Sequence, residues 1–444
     1  MKTSKLFIGL AAGAFLIGCN PDPESDLDSQ LQDALTSASG GVGADYYLIP
    51  DSDDLVSIPQ DPKNPLSSEK VALGQLLFHE TGLAINPKYA SSMGTYSCAS
   101  CHHAGAGFQA GRIQGIAEGG LGFGVNGEGR DKNPDYPADS LDVQPIRSPT
   151  VLNAAYQEVM LWNGQFGATG VNNGTESQWS EGTPKVNNHL GYQGIETQAI
   201  AGLTVHRMGV DMDFITRNGY KEMYDAAFAD WPEADRYSLE TTGLAIAAFE
   251  RTILANEAPF QRYLRGELSA LSESQKQGAL LFFGEGNCAS CHNGPSLANM
   301  EFYALGMKDL DAPGVYGNGL DDATKYGRGG FTGNADDNYK FKVPQLYSLA
   351  YSPFYGHGGN FETVREVIAY KNAAVPDIDV VPASQYPEEF VPLDLTEEQI
   401  DMLTDFVLNG LDDNNVARYS PSALLSGNCF PNNDETSRTD MGCN

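Results

Sequence analysis

Two copies of one pentapeptide constrain this chain more than any other feature. Cys98-Ala99-Ser100-Cys101-His102 returns as Cys288-Ala289-Ser290-Cys291-His292. Two thiols three positions apart can each bond a vinyl group of one porphyrin, and the next residue then sets its imidazole beneath the iron as an axial ligand. Zinc sites and thioredoxin-like redox pairs also use Cys-x-x-Cys, but neither needs a His directly after the second Cys in both copies. Two covalently bound haem c groups are therefore expected, one on Cys98, Cys101 and His102, the other on Cys288, Cys291 and His292. The repeat extends upstream: Leu73-Gly74-Gln75-Leu76-Leu77-Phe78 precedes the first pentapeptide and Gly278-Ala279-Leu280-Leu281-Phe282-Phe283 the second. Two similar haem domains, meeting near residue 255, follow from this self-similarity.

Apolar periodicity predicts helices over Ser68 to Phe78, Ser238 to about Leu264, Ser272 to Phe283, Thr363 to Asn372 and Thr396 to Leu408, the last opening on a capping-box pattern. Residues 104–145 and 163–194 are rich in Gly, Asn and acidic side chains and read as long loops. No strand runs stand out. The expected fold is mainly α: two cytochrome c-like haem domains with long irregular loops, at 65–255 and 256–415.

Lys2 and Lys5 precede an apolar run, Leu6 to Ile17, that is too short to span a bilayer, so residues 1–18 read as an export signal. Leu16-Ile17-Gly18-Cys19 resembles a bacterial lipobox, which implies lipidation of Cys19 and, with Asn20 following, an outer-membrane anchor facing the periplasm or cell surface. Residues 19–64 are polar and acidic and read as a flexible tether. In the polar tail, 416–444, Cys429 and Cys443 are expected to pair in an oxidising compartment, a bridge worth about 3 kcal/mol. The 58 acidic residues against 27 basic ones give a net charge of −31. Such a surface repels nucleic acid and anionic lipid and favours a small basic partner, so the membrane is met only through the lipid anchor.

Taken together, the paired CxxCH segments, each behind an LGxxLF-type helix, resemble the bacterial dihaem cytochrome c peroxidase family, which includes the MauG-type enzymes. Arg147-Ser148-Pro149-Thr150-Val151-Leu152-Asn153-Ala154, Leu161-Trp162-Asn163-Gly164, Gln198-Ala199, Phe341-Lys342-Val343-Pro344 and the stretch from Pro353 through His357 to Phe361 extend the likeness over about residues 65 to 410. The resemblance implies that hydrogen peroxide reacts at the haem on His102 and that the haem on His292 stores and relays electrons. It also implies that Trp162 lies between them and that Gln198 lines the distal pocket of the first.

Three positions depart from the family pattern. The family's distal Glu has no counterpart in Val205-His206-Arg207-Met208-Gly209, where His206 or Arg207 could take over the proton shuttle and charge stabilisation that O–O cleavage needs. His206 could equally ligate the first haem or be structural. The distal His found sixteen residues past the proximal one in many members is replaced by Glu118. The sixth ligand of the second haem, Met in ordinary peroxidases and Tyr in MauG-type enzymes, falls on Tyr370 or Lys371. Helical phase favours Lys371, ligand chemistry favours Tyr370, and Met307 is a further candidate. The family's interdomain Ca2+ loses an Asn ligand, replaced by Arg147.

The function expected is H2O2 reduction with electrons from a small cytochrome c or cupredoxin. The alternatives are a MauG-type enzyme that uses H2O2 to oxidise residues of a protein substrate, and a non-enzymatic dihaem electron carrier.

Overall fold

Gly74 explains the first half of the repeat. A Cβ at this position would stand 1.8 Å from the carbonyl oxygen of Ala245, so only glycine lets helix α2 (Ser68–His79) cross α6 (Leu239–Thr252) this closely. Gly278 does the same in the second half. Its Cβ would stand 2.1 Å from the carbonyl oxygen of Met402, where α8 (Glu273–Phe283) crosses α12 (Glu397–Asp405). Each pentapeptide therefore hangs behind a helix locked to a second, sequence-distant helix, and the pairs α2/α6 and α8/α12 are the main packing contacts of their halves.

The computed structural model describes residues 23–317 and 321–443. The export signal and Cys19 lie outside the described residues. Besides the four helices above, the chain forms α1 (Pro23–Ala38), α3 (Gly194–Val205), α4 (Met212–Arg217), α5 (Tyr220–Ala227), α7 (Pro259–Leu264), α9 (Asp322–Lys325), α10 (Arg328–Thr332), α11 (Val364–Ala373) and α13 (Glu435–Asp440). Two ladders of two residues per strand are the described strands: Gly120–Leu121 with Asp131–Lys132, and Phe302–Tyr303 with Phe341–Lys342. The mainly α reading holds.

Two readings need correction. Residues 19–64 are not a tether where they are described. Helix α1 packs on α8, with Leu31 and Leu35 fully buried one turn apart and Asp28 paired to the buried Lys276 at 2.8 Å. Further on, Tyr47, Ile49 and Ile58 join the core, and Gln261 both accepts from Ile49 N and donates to Tyr47 O, each at 2.9 Å. Most of the acidic side chains that suggested disorder, Asp26, Asp33, Asp45, Asp51, Asp53 and Asp54, are exposed, while Asp28 and Asp61 turn inward. Second, the pattern from Ser238 to Leu264 is not one helix. It ends at Thr252, and α7 restarts with Pro259 at its first position, because proline is tolerated there and not in a helix interior.

The tail is also structural. Cys429 and Cys443 are joined, with Cα atoms 5.9 Å apart. Just beside the bridge, Ser97 and Ser100 donate to Pro431 O at 2.9 and 3.1 Å, so the C-terminal segment closes over the first pentapeptide.

Candidate haem sites

In both pentapeptides the two cysteines bracket one helical turn, Cys98–Ser100 and Cys288–Ser290, and neither pair is closed as a disulfide. His102 Nδ1 donates to Phe108 O at 3.3 Å, and His292 Nδ1 donates to Leu297 O at 3.0 Å. Each hydrogen bond fixes the tautomer and leaves Nε2 as the free lone pair, the arrangement a metal-bound imidazole requires. Burial pushes both imidazoles down to about 4, so they stay neutral. The carbonyls of Pro149 and Pro344 reach the same two rings, which gives the Arg147-Ser148-Pro149 and Lys342-Val343-Pro344 segments equivalent places in the two halves.

Around His292 opens a cavity of about 320 Å³ with mostly apolar walls, bordered by Cys288, Cys291, Trp162, Phe341 and Met307. Arg147 also lines it, and the buried Nε of that guanidinium has no hydrogen-bond partner among the described residues. An apolar slot with two thiols and an imidazole at one side and an orphaned cationic N–H suits a porphyrin with anionic propionates. Trp162 forms part of the wall. Its Nε1 donates to Arg147 O at 2.9 Å, and only Ser148 separates Arg147 from Pro149, the residue whose carbonyl meets His102. His357 stacks on Phe341 at 3.7 Å between centroids and stands edge-on to Trp162 at 6.3 Å.

The His102 side carries two charge-paired groups, a histidine and an arginine, at adjacent positions of the chain. His206, at the C-terminal end of α3, sits close enough to depress the protonation of His102. His206 Nδ1 donates to Asp142 Oδ2 at 2.9 Å. Burial works against charge on His206, but Asp142, by its charge and its hydrogen bond, outweighs burial and holds the pKa above 6.5. Arg207, in the left-handed region at φ 54°, ion-pairs with the fully buried Glu118, which also accepts from Tyr136. Gln198 lies half-buried on the same helix, two turns before His206.

Glu118, which in the sequence only marks a missing His, is thus the anchor of Arg207. Asp142 was not legible as a site residue at all. On the second side, Tyr370 turns away from the cavity: its hydroxyl donates to Leu305 O and its ring packs on Phe361 and Phe390. Lys371 and Met307 line the cavity. Tyr370 and Lys371, one helical position apart, thus stand on different faces of α11. Arg147 fills a basket of oxygens, donating to Arg112 O at 2.8 Å, Ala110 O at 3.3 Å and Ser352 Oγ at 3.2 Å.

A sequence profile of the family described as di-haem cytochrome c peroxidase matches residues 68–269. The chain is 27% identical to cytochrome-c peroxidase IdrP1 of Pseudomonas sp. (strain SCT), over 78% of this chain and 81% of that one. It is 28% identical to the methylamine utilization protein MauG of Methylorubrum extorquens, over 70% and 71%. Among solved structures, a MauG-like protein associated with microbial copper homeostasis superposes with a TM-score of 0.56 at 23% identity, covering 83% of this chain and 96% of that one. A variant of the diheme peroxidase BthA from Burkholderia thailandensis gives 0.50 at 17% identity, over 81% and 89%. No described helix is long and apolar enough to cross a membrane.

Proposed function

We propose that the chain, which is similar over most of its length to cytochrome c peroxidases and MauG-type enzymes, is a member of the dihaem cytochrome c peroxidase family and reduces H2O2 at the His102 site with electrons relayed through the His292 site. It is a peroxidase-type oxidoreductase that works with c-type haems. Cys98, Cys101 and His102 would hold the first, and Cys288, Cys291 and His292 the second. When bound, the haems supply the iron that peroxide meets and a store for electrons.

The observation that carries this reading is an asymmetry. One ligand geometry is built twice: the His102 copy has beside it His206, aimed by the buried Asp142, followed in the chain by the Arg207–Glu118 ion pair, while the His292 copy borders a mainly apolar cavity whose polar lining includes His357, Lys342 and Lys371. His206, steered by Asp142, takes a proton at Nε2 and returns it, and Arg207, held by Glu118, offers positive charge to a developing oxyanion. Gln198 completes the polar side of this pocket. Trp162, fixed through Arg147 O on the strip that also touches His102, is the aromatic bridge between the two centres. These roles contain no calcium, since the Arg147 guanidinium already satisfies a cluster of oxygens.

A lipid on Cys19 would tether the protein to the outer membrane, and the charge of −31 favours a small basic cytochrome c or cupredoxin as donor. Mixing the holoprotein with H2O2 and a reduced donor of either kind should give donor oxidation at a rate proportional to peroxide. Two low-spin ferric irons that bind neither cyanide nor peroxide would establish an electron carrier instead. Peroxide consumption without donor oxidation, but with oxidised residues on a partner protein, would establish the MauG-type outcome.

A further inference from the structure

Helix α11 turns Val364, Val367, Ile368 and Lys371 into the cavity beside His292, the i, i+3, i+4, i+7 series of one face. The last of the four carries an amine into a mainly apolar space. Among the described residues no hydrogen bond or ion pair reaches that amine; its recorded neighbour is the face of Phe390, 5.7 Å from Nζ. An amine set against apolar walls without an anion is costly unless something else takes its lone pair or its charge.

We propose that Lys371 is the sixth ligand of the iron held by His292, in the place where other members of the family use Met or Tyr. This rests on the reading of His292 as a haem ligand. The ammonium gives up its proton to solvent and the freed lone pair is donated to the metal; nothing is oxidised or reduced. A salt bridge to a haem propionate is the competing use, and position argues against it. Lys371 shares the cavity wall with His292, Cys288 and Cys291, the residues that would hold the porphyrin by its thioether edge, and the propionates of such a group leave from the opposite edge. Arg147, with its orphaned Nε, is the better propionate partner. Met307 also lines the cavity, but a neutral thioether is at ease in apolar walls and needs no ligand to stay there.

The test uses ferric holoprotein without peroxide, read by near-infrared magnetic circular dichroism and electron paramagnetic resonance as differences between wild type and variants, which removes the first haem's contribution. The wild type should show a nitrogen–nitrogen charge-transfer band that disappears in Lys371→Ala and is replaced by a nitrogen–sulfur band in Lys371→Met, with a higher potential for that haem. Met307→Leu should leave the wild-type spectrum unchanged. A haem-to-protein ratio of two in Lys371→Met guards against simple misfolding. A thioether or phenolate signature in the wild type, or a nitrogen–nitrogen band that survives Lys371→Ala, would overturn the assignment while leaving the haem site intact. A wild type with no haem on the second pentapeptide would instead remove the functional reading beneath it.

Discussion

His206 Nδ1 donates to the buried Asp142 Oδ2 at 2.9 Å, so a histidine at a helix end is aimed by a carboxylate from a distant loop. An imidazole held this way keeps Nε2 as its working atom, and its partner sets both its tautomer and its basicity. Replacing His206 by Ala should slow the bimolecular reaction with H2O2 by about 10²-fold or more, the usual contribution of general acid–base catalysis. Asp142→Asn should cost about tenfold, as the loss of an orienting partner does. Stopped-flow traces of the diferric protein decide both. An unchanged rate would reduce His206 to a structural residue, and a low-spin to high-spin change in His206→Ala would make it a ligand.

The same pair predicts a pH profile. Asp142 raises the His206 pKa above 6.5, so the neutral, proton-accepting form appears only at higher pH. The peroxide reaction should therefore climb through a limb whose midpoint lies above 6.5 in the wild type. In Asp142→Asn burial and the neighbouring Arg207 charge remain, both of which favour the neutral form, and the limb should move to lower pH. A limb that stays in place would assign it to another group.

The two glycine crossings carry the fold, and they make unequal demands on the chain. Gly74→Ala drives a methyl into the Ala245 carbonyl, and Gly278→Ala does the same at Met402. Neither neighbour can swing aside, since both are backbone. Overpacking of this kind costs about 1–3 kcal/mol, more when helices must separate. Gly202→Ala is the contrast: its new Cβ would stand 3.5 Å from Gln198 Nε2, an ordinary contact in a helix, and should stabilise by up to about 1 kcal/mol. Thermal unfolding of the three variants should show two large losses and one small gain.

Much of this architecture is written in short-range signals. The pentapeptides, the LGxxLF repeat and the Thr363 and Thr396 capping boxes each act within a few residues. What stayed hidden depends on pairing across long separations. Asp142 meets His206 across 64 residues and Glu118 meets Arg207 across 89, out of Gly-rich loops whose composition says only that they are irregular. The segment before residue 64 misled for a related reason. Its acidic bulk outweighs the few apolar anchors, Leu31, Leu35 and Ile49, that pin it to the body, and anchors are only recognisable once their partners are in place. Pro259, by contrast, was a visible stop signal inside an apolar run that continued on both sides of it.

Arg147 places one guanidinium among the oxygens of Arg112, Ala110 and Ser352 and beneath Phe354, 5.5 Å from the ring centre. Burial lowers its pKa to about 10, so it remains a cation at neutral pH, supplied by the chain itself. A chelator such as EDTA should then leave the melting temperature and the haem spectra unchanged. Arg147→Ala leaves buried acceptors unpaired and should cost about 3 kcal/mol, with Arg147→Lys recovering part of it. A chelator-induced loss of stability that added calcium restores would refute this account.

Acid stability turns on a residue far from the proposed chemistry. His79 is buried at the end of α2, its Nδ1 2.8 Å from Gln75 O and its ring among Phe78, Phe249 and Phe430. Burial depresses its pKa from 6.5 to about 4. Between those values the unfolded chain binds a proton here that the folded chain refuses, so stability rises with pH across this window. The contribution is fully present above pH 6.5 and is lost as pH falls toward 4. The shift corresponds to at most about 3 kcal/mol. Urea midpoints measured from pH 7 to 4 should therefore fall more steeply for the wild type than for His79→Phe, whose ring suits the same aromatic surroundings without a titrating nitrogen. Parallel curves for the two proteins would mean that His79 takes up its proton in the folded state as readily as in the unfolded one.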